Sequence, residues 1–107
     1  MAKVYHTVRV VTDNPQEFNE FWARESLPLW IKHGAKHIGS FSNWIGGPTD
    51  EIFRIFEFES LEKFEAFEKF LAESPQGKDL IKRLGKYIKT GEKRLIRSIY
   101  NGNNSEY

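Results

Sequence analysis

The sequence predicts an α+β domain in which a four-stranded antiparallel sheet is covered on one face by two helices. Three observations lead to this prediction. Segments rich in β-branched and aromatic residues alternate with helix-like patterns in the order βαββαβ. The two middle strands are joined by the turn-forming run Gly46-Gly47-Pro48. The length of 107 residues suits one domain, with residues 1–100 forming the domain and residues 101–107 a flexible C-terminal tail. This order is that of the ferredoxin-like arrangement, in which the first and third strands are central.

The first strand and the helix after it have clear local signals. Residues 3–11 alternate between two faces, as a strand requires. Asn14 followed by Pro15 offers a capping residue and a proline at an early helical position. Pro28 is expected to kink or restart this helix, and Gly34 to end it. The apolar stripe of the helix consists of Phe18, Phe21, Trp22, Leu29 and Trp30.

The second half of the chain continues the pattern with three strands and one long helix. The predicted strands are residues 36–45, 52–58 and 93–100. Ser60 begins the second helix, whose apolar residues recur at three- and four-residue spacing. Residues 74–77 are expected to interrupt that helix. The spacing of Leu80, Ile81, Leu84 and Ile88 then predicts a further helical turn or two.

The third predicted strand carries apolar side chains on both faces. Phe56 and Phe58 point to one side together with Arg54, while Phe53 and Ile55 point to the other. Helices can cover only one face of such a sheet, and an uncovered apolar face usually marks an interface. We therefore expect a homodimer with the sheets face to face, forming a dimeric α/β barrel, with higher oligomers left open. Burial of about 400 Å² of apolar area per subunit would contribute roughly 10 kcal/mol before association costs.

The composition indicates a soluble cytoplasmic protein. The chain has no cysteine, which excludes disulfides and thiolate chemistry and fits a reducing compartment. No apolar run approaches 18 residues, so we expect neither a signal peptide nor a membrane partner. The net charge is +1, but residues 78–97 hold eight Lys or Arg against Asp79 and Glu92. This basic stretch is expected to be a solvated patch, with an anion-facing role as the alternative.

The βαββαβ order also builds RNA-recognition modules. Those modules place a K/R-G-F/Y-G/A-F-V-x-F/Y run on the third strand, and IFRIFEFE at residues 52–59 has neither the glycines nor a net positive charge. No phosphate loop, dinucleotide fingerprint or nucleophile elbow occurs in the sequence. We expect no nucleic-acid partner.

Two polar residues interrupt the apolar faces of the predicted central strands. His6 lies among valines, where an imidazole could act as a general base in a cleft between sheet and helices. The alternative is a hydrogen-bonded core histidine. Arg54 lies among phenylalanines and cannot lose its charge there. It either forms an ion pair with Glu57 or Glu59 of either chain, or anchors a carboxylate or enolate.

Other candidates are histidines and aromatic residues. His33 and His37 have the spacing of two metal ligands on a helix, but Gly34 should end the helix between them, so we expect no metal. His37 opens the second strand and is a candidate pocket residue. Trp44, beside the glycine turn, and Tyr5 are candidates for shaping a pocket for a planar organic molecule. The tryptophans of the first helix are expected in the core instead.

Nearly the whole chain resembles the NIPSNAP family. The resemblance rests on HGAK at residues 33–36, followed by Gly39 and an aromatic residue, and on FEFESLE at residues 56–62. Both lie in wider similar segments, residues 27–41 and 52–67. The resemblance implies a place in the dimeric α/β-barrel superfamily, beside EthD-like proteins and antibiotic-biosynthesis monooxygenases. Members of that superfamily include cofactor-independent monooxygenases, isomerases and haem-binding enzymes.

We therefore expect a homodimer that binds a small hydrophobic or aromatic organic molecule without a cofactor. If it is an enzyme, the resemblance implies monooxygenase or isomerase chemistry, in which His6 or His37 takes a proton and Arg54 stabilises the resulting oxyanion. Tyr5 and Trp44 would bind the ligand. The alternative is a non-catalytic binding or assembly module. A pocket lined by at least two of the three polar residues would favour the enzyme, whereas a filled core would exclude it.

Overall fold

The computed structural model describes residues 3–99 and confirms the predicted fold class. The strands are β1 (Val4–Thr12), β2 (Lys36–Ser42), β3 (Glu51–Phe58) and β4 (Ile88–Ile96). The helices are α1 (Pro15–Phe21), α2 (Leu27–Lys32), α3 (Leu61–Glu73) and α4 (Pro75–Leu84), with a π-helical turn (Trp22–Ser26) between α1 and α2. The strands form one antiparallel sheet in the order β2-β3-β1-β4, so the first and third strands are central, as predicted. This is the ferredoxin-like α+β arrangement.

The pairing of the strands determines which side chains share a face. His6 of β1 lies directly opposite Phe56 of β3, and Val8 lies directly opposite Arg54. These four side chains point towards the helices, because their neighbours in the core are helical residues. The buried members of that core include Phe56, Phe58, Phe64, Phe67 and Leu80. The functional candidates His6 and Arg54 therefore lie on the helix-covered face of the sheet.

The other face of the sheet, which we call the open face, is not covered by the helices of residues 3–99. Its side chains include Tyr5, Thr7, Arg9, Val11, Phe41, Phe53 and Ile55. Phe41 is 52% exposed, and Phe53 and Ile55 are only half-buried. The apolar second face predicted for the third strand is thus present and largely uncovered in the single chain.

Local hydrogen bonds explain the start and the restart of the first helix. The side chain of Asn14 accepts a hydrogen bond from the backbone N–H of Glu17 at 3.1 Å, and Pro15 occupies the first helical turn. The backbone N–H of Leu27 then bonds back to the carbonyl of Trp22, five residues earlier, which makes the π turn. Pro28 stands in the first turn of α2, where its missing N–H is tolerated, so the helix restarts there as predicted.

The second helical segment is less interrupted than predicted. Ser74 alone separates α3 from α4, because its N–H bonds to the carbonyl of Phe70 while its hydroxyl accepts from the N–H of Gly77 at 2.9 Å. Instead of a turn or two, α4 spans ten residues. Gly77 is required at this join, since an added Cβ would lie 2.5 Å from the Cα of Leu71.

Two strand boundaries were predicted wrongly. β4 runs from Ile88 to Ile96 rather than over residues 93–100, and Ile88 pairs with Thr12 instead of extending the helix. The middle of β4 is polar and exposed, so no alternation of side chains marks it, and only its backbone pairing with β1 defines it. β2 ends at Ser42 rather than at residue 45. Trp44 therefore falls in a loop.

The predicted tail, residues 101–107, lies outside the described residues. Within residues 3–99, no helix is long and apolar enough to cross a membrane.

Candidate functional site

A cavity of about 580 Å³ lies between the sheet and the helices. Its floor is formed by His6, Val8 and Val10 of β1 and by Arg54 and Phe56 of β3. The helical side chains that line it include Phe18, Trp22, Ser26, Trp30, Phe64, Phe67, Leu71, Leu80 and Leu84. This mostly apolar lining with a few polar groups is typical of a site for a small organic molecule. The core is therefore not filled at this point.

Arg54 is a buried cation that has no carboxylate partner within residues 3–99. Its side chain is 3% exposed, and its Nη1 donates to the side-chain oxygen of Asn19 at 3.1 Å and to the hydroxyl of Ser40 at 2.6 Å. The Nη2 atom has no hydrogen-bond acceptor among the described residues. Burial lowers the pKa of Arg54 to about 10, which still leaves the guanidinium charged at neutral pH. Arg54 thus brings one positive charge and a free donor to the cavity.

The ion pairs proposed for Arg54 from the sequence are not formed within the chain. Glu57 lies on the open face and pairs with Lys3 at 3.4 Å, while Glu59 pairs with Lys63 at 3.5 Å. Both carboxylates point away because they alternate with the inward-facing residues of β3 or follow its end. An ion pair with a glutamate of a second chain and the anchoring of a ligand anion are the alternatives that remain.

His6 is buried in a largely apolar environment. It is 3% exposed, and neither ring nitrogen has a hydrogen-bond partner among the described residues. Its ring contacts the rings of Trp30 and Phe64, with centroids 5.3 and 5.2 Å away. Burial, together with the nearby charge of Lys93, lowers the pKa of His6 to about 4. Among the described residues His6 thus lacks the partners expected of a hydrogen-bonded core histidine, and its imidazole is neutral at pH 7.

His6 and Arg54 are diagonal neighbours on the two central strands. Because His6 pairs with Phe56 and Val8 pairs with Arg54, the two polar residues are offset by two positions across the strand pair. Such diagonal neighbours lie about 7–8 Å apart, within reach of long side chains. One ligand over Val8 could therefore contact both the imidazole and the guanidinium.

The π turn shapes the wall above Arg54. The guanidinium carbon of Arg54 lies 3.6 Å from the centre of the Trp22 ring, a short cation–π contact. The turn also directs Ser26, which is fully buried, towards the cavity, where its hydroxyl accepts a hydrogen bond from the Trp30 indole at 3.0 Å. Single π turns of this kind occur often at functional sites.

His37 lies next to the cavity without lining it. Its Nε2 is 2.9 Å from the hydroxyl of Ser40, which in turn accepts from Arg54. Burial lowers the pKa of His37, and the charge of Arg54 adds to this effect. His37 is thereby placed behind Arg54, where it can orient the guanidinium through Ser40 but does not face the cavity. The structure brings together His6 and Arg54 of the three predicted catalytic residues.

The two predicted ligand-binding residues do not line the cavity. Tyr5 points to the open face, because it is adjacent to His6 on the same strand and successive side chains alternate. Trp44 is 95% exposed in the loop between β2 and β3. The tryptophans that line the cavity are Trp22 and Trp30, which were assigned to the core from the helical stripe.

The cavity opens between β4 and the α3–α4 pair. Its exposed lining residues are Ala72, Ile81, Gly85, Gly91, Glu92 and Lys93. Glu68 of α3 and Lys93 of β4 both line the cavity, and their charged atoms are 3.9 Å apart. This long ion pair spans the opening. In residues 3–99 no group of three His, Asp or Glu side chains is arranged to hold a metal ion.

The fold and the site together define a ferredoxin-like α+β protein with a ligand-sized, mostly apolar cavity beneath its helices. The NIPSNAP family model matches residues 5–100. The chain belongs to the NIPSNAP family. No curated protein matches it.

Solved structures with the same fold include family members and an oxygenase. A NIPSNAP family protein from Agrobacterium tumefaciens is 19% identical, with a TM-score of 0.78 over 95% of this chain and 99% of that chain. SnoaB, a cofactor-independent oxygenase from Streptomyces nogalater, is 13% identical, with a TM-score of 0.73 over 97% and 100%. A dimeric ferredoxin-like protein from an uncultured marine organism is 15% identical, with a TM-score of 0.70 over 98% and 95%. At these identities the similarity shows the fold.

Three residues of the site were missed by the sequence analysis. Ser26 carries no distinctive local signal, and the π turn that directs it inward cannot be seen in the spacing of apolar residues. Glu68 and Lys93 lie on a predicted helix and in the basic stretch, where charged residues are ordinary. The pairing of Lys93 with Val8 would have identified it, but that register is a tertiary property.

Proposed function

We propose that this protein is a homodimer that binds a small apolar or aromatic organic molecule in the cavity and removes a proton from it. His6 is the base and Arg54 holds the oxygen on which negative charge develops. The observation that carries this proposal is that three buried nitrogens, both of His6 and Nη2 of Arg54, have no partner among residues 3–99 and belong to residues that line the same cavity. Leaving such groups unpaired costs stability, so their retention is best explained by a ligand that pairs them.

The proposed step requires only an acidic C–H bond next to a carbonyl group. The lone pair of neutral His6 takes the proton, and the electron pair of the C–H bond moves to the carbonyl oxygen, giving an enolate. The N–H groups of Arg54 stabilise that oxygen. Although a base with a pKa of about 4 is weak in isolation, the enolate formed beside it stabilises the imidazolium.

Two outcomes for the enolate follow from this chemistry. Return of the proton at a different carbon gives an isomer. Alternatively, the enolate gives electrons to dioxygen, and the methylene carbon becomes a carbonyl while the second oxygen atom leaves as water. The similarity in fold to SnoaB, a cofactor-independent oxygenase, supports the second outcome as a candidate.

Hydrogen–deuterium exchange tests the proton removal directly. The probe is 2-tetralone, an apolar bicyclic ketone with acidic C–H bonds, incubated with the protein in D₂O and followed by NMR. We expect protein-dependent exchange that is lost in His6→Ala and strongly reduced in Arg54→Met. His33→Ala, a histidine change outside the cavity, should leave exchange unchanged. Exchange that survives His6→Ala would refute the proposal.

The second candidate is a binding module without catalysis. It is favoured by the apolar side chains exposed on the open face, such as Phe41 and Ile96, which suit assembly, and by the absence of a second proton acceptor among the described residues that line the cavity floor. Binding of 2-tetralone in calorimetry, with no exchange at any pH from 6 to 9, would support this candidate over the enzyme.

The homodimer is proposed from the open face. Phe41 is 52% exposed and Ile96 is 46% exposed, and both lie with half-buried Phe53 and Ile55 on one side of the sheet. Contiguous apolar surface of this kind is typical of an interface. A protein of the same fold that is described as dimeric supports this assembly.

A further inference from the structure

A second cation, Lys93 at the opening of the cavity, lies in the same row as Arg54. Val8 of β1 lies directly opposite Arg54 on one side and directly opposite Lys93 on the other. All three side chains are therefore on the helix-covered face, in the order Arg54, Val8, Lys93 across the sheet. The Cα atoms of the two cations are two strand spacings apart, about 10 Å.

His6 lies between these two cations. It is offset by two positions on β1 from Val8, so it is a diagonal neighbour of both Arg54 and Lys93. The positive charge of Lys93 is felt at the imidazole, where it contributes to the lowered pKa. The sheet side of the cavity thus offers one proton acceptor flanked by two positive charges.

Lys93 has a weak internal counter-ion. The carboxylate of Glu68 is 3.9 Å from the ammonium group of Lys93. The side chain of Glu68 is 40% exposed and that of Lys93 is 63% exposed. Such a long, solvated pair contributes little to stability. A ligand carboxylate at the opening of the cavity could therefore replace Glu68 on Lys93 at low cost, while Arg54 remains for the oxygen deeper inside.

We propose that the ligand is an aromatic or alicyclic acid with two oxygen functions, an ionisable hydroxyl or carbonyl oxygen that meets Arg54 and a carboxylate at the other end that meets Lys93. This inference rests on the proposed use of the cavity as a ligand site, and it assigns Lys93 as the specificity-determining residue. The carboxylate of Glu68 forms the ion pair with Lys93 when the ligand is absent. The apolar walls accept the rings between the two oxygen functions.

A matched pair of probes tests the inference. 6-Hydroxy-2-naphthoate carries a hydroxyl and a carboxylate at opposite ends of its rings, and 2-naphthol lacks the carboxylate. By calorimetry on the wild-type protein, we expect the acid to bind about threefold to fivefold more tightly than the naphthol, the effect of one ion pair with a solvent-exposed lysine. In Lys93→Gln the two probes should bind with equal affinity. In Glu68→Gln the acid should bind more tightly than in wild type, because its competitor is removed.

Controls separate the inference from a general effect of charge and from the proposed function. Lys86→Gln removes the same charge from the basic stretch outside the cavity and should leave the ratio of the two affinities unchanged. Equal binding of both probes to the wild type, or a ratio that persists in Lys93→Gln, overturns the inference while leaving the cavity as a ligand site. Binding of neither probe overturns the proposed function and the inference together.

Discussion

The guanidinium carbon of Arg54 lies 3.6 Å from the centre of the Trp22 ring, and no carboxylate among residues 3–99 pairs with that guanidinium. The acceptors of Arg54 are the neutral oxygens of Asn19 and Ser40, both on exposed residues. An aromatic face and two neutral oxygens compensate only part of the cost of burying a charge. This relationship leads to the first prediction.

Arg54→Met should stabilise the protein while weakening ligand binding. Methionine keeps the apolar contact with Trp22 and has no charge to bury, while Asn19 and Ser40 can be hydrated. We expect the free energy of unfolding, measured with urea, to rise by about 1–3 kcal/mol. Arg9→Met is the matched control: Arg9 is paired with the buried carboxylate of Glu51, so its loss should destabilise the protein. A fall in stability in both variants would contradict the assignment of Arg54 as a buried cation whose charge is only partly compensated.

The stability of the protein should depend on pH through His6. The pKa of His6 is lowered from 6.5 to about 4 in the folded chain, so the unfolded chain binds a proton first as the pH falls. The contribution of His6 to the free energy of unfolding is therefore constant above pH 7. It is lost as the pH falls from about 6.5 to 4, and the loss amounts to about 2 kcal/mol at pH 5.

Urea unfolding at pH 7.5, 6 and 5 measures this dependence. His6→Leu should remove the part of the pH dependence of stability that comes from His6. As the pH falls from 7.5 to 5, the free energy of unfolding of the variant should therefore rise by about 2 kcal/mol relative to that of the wild type. Parallel pH profiles for the two proteins would show that His6 is not buried in its neutral form.

Phe53→Glu should prevent dimer formation. Phe53 lies in the middle of the open face beside Phe41, so a carboxylate there would be buried at the proposed interface. We expect light scattering to give the mass of a single chain, with unchanged helical circular dichroism. Ile31→Glu places the same charge on a residue that is 55% exposed on α2, outside the open face, and should leave the mass unchanged. A wild-type protein that is already monomeric in dilute buffer would exclude the dimer.

Gly77→Ala should destabilise the join between α3 and α4. The added Cβ would lie 2.5 Å from both the Cα and the carbonyl oxygen of Leu71, which are backbone atoms that cannot move alone. We expect a loss of about 2 kcal/mol or more in the free energy of unfolding. In Gly85→Ala the added Cβ would lie 3.4 Å from its nearest neighbour, the carbonyl oxygen of Lys82, which is an ordinary contact. This variant should therefore change stability far less. Similar thermal midpoints for the two variants would contradict this explanation of the single-residue join.

The order of the elements and the orientation of β3 could be predicted from the sequence, because both depend on neighbouring residues. Asn14 and Ser60 accept hydrogen bonds from backbone N–H groups three residues later, which makes the helix starts visible locally. Alternation along β3 likewise predicted that Arg54 shares a face with Phe56. The chemical types at the cavity floor, an imidazole and a guanidinium among apolar residues, were visible for the same reason.

The extent of β4, the cavity and its second cation were decided only by the tertiary structure. Lys93 lines the cavity because backbone hydrogen bonds place it opposite Val8, 85 positions away in the chain. Likewise, whether His6 and Arg54 find partners depends on which helical side chains reach them, and a sequence pattern contains no such distances. Periodicity reports the face on which a residue lies, whereas register and helix placement determine what it meets there.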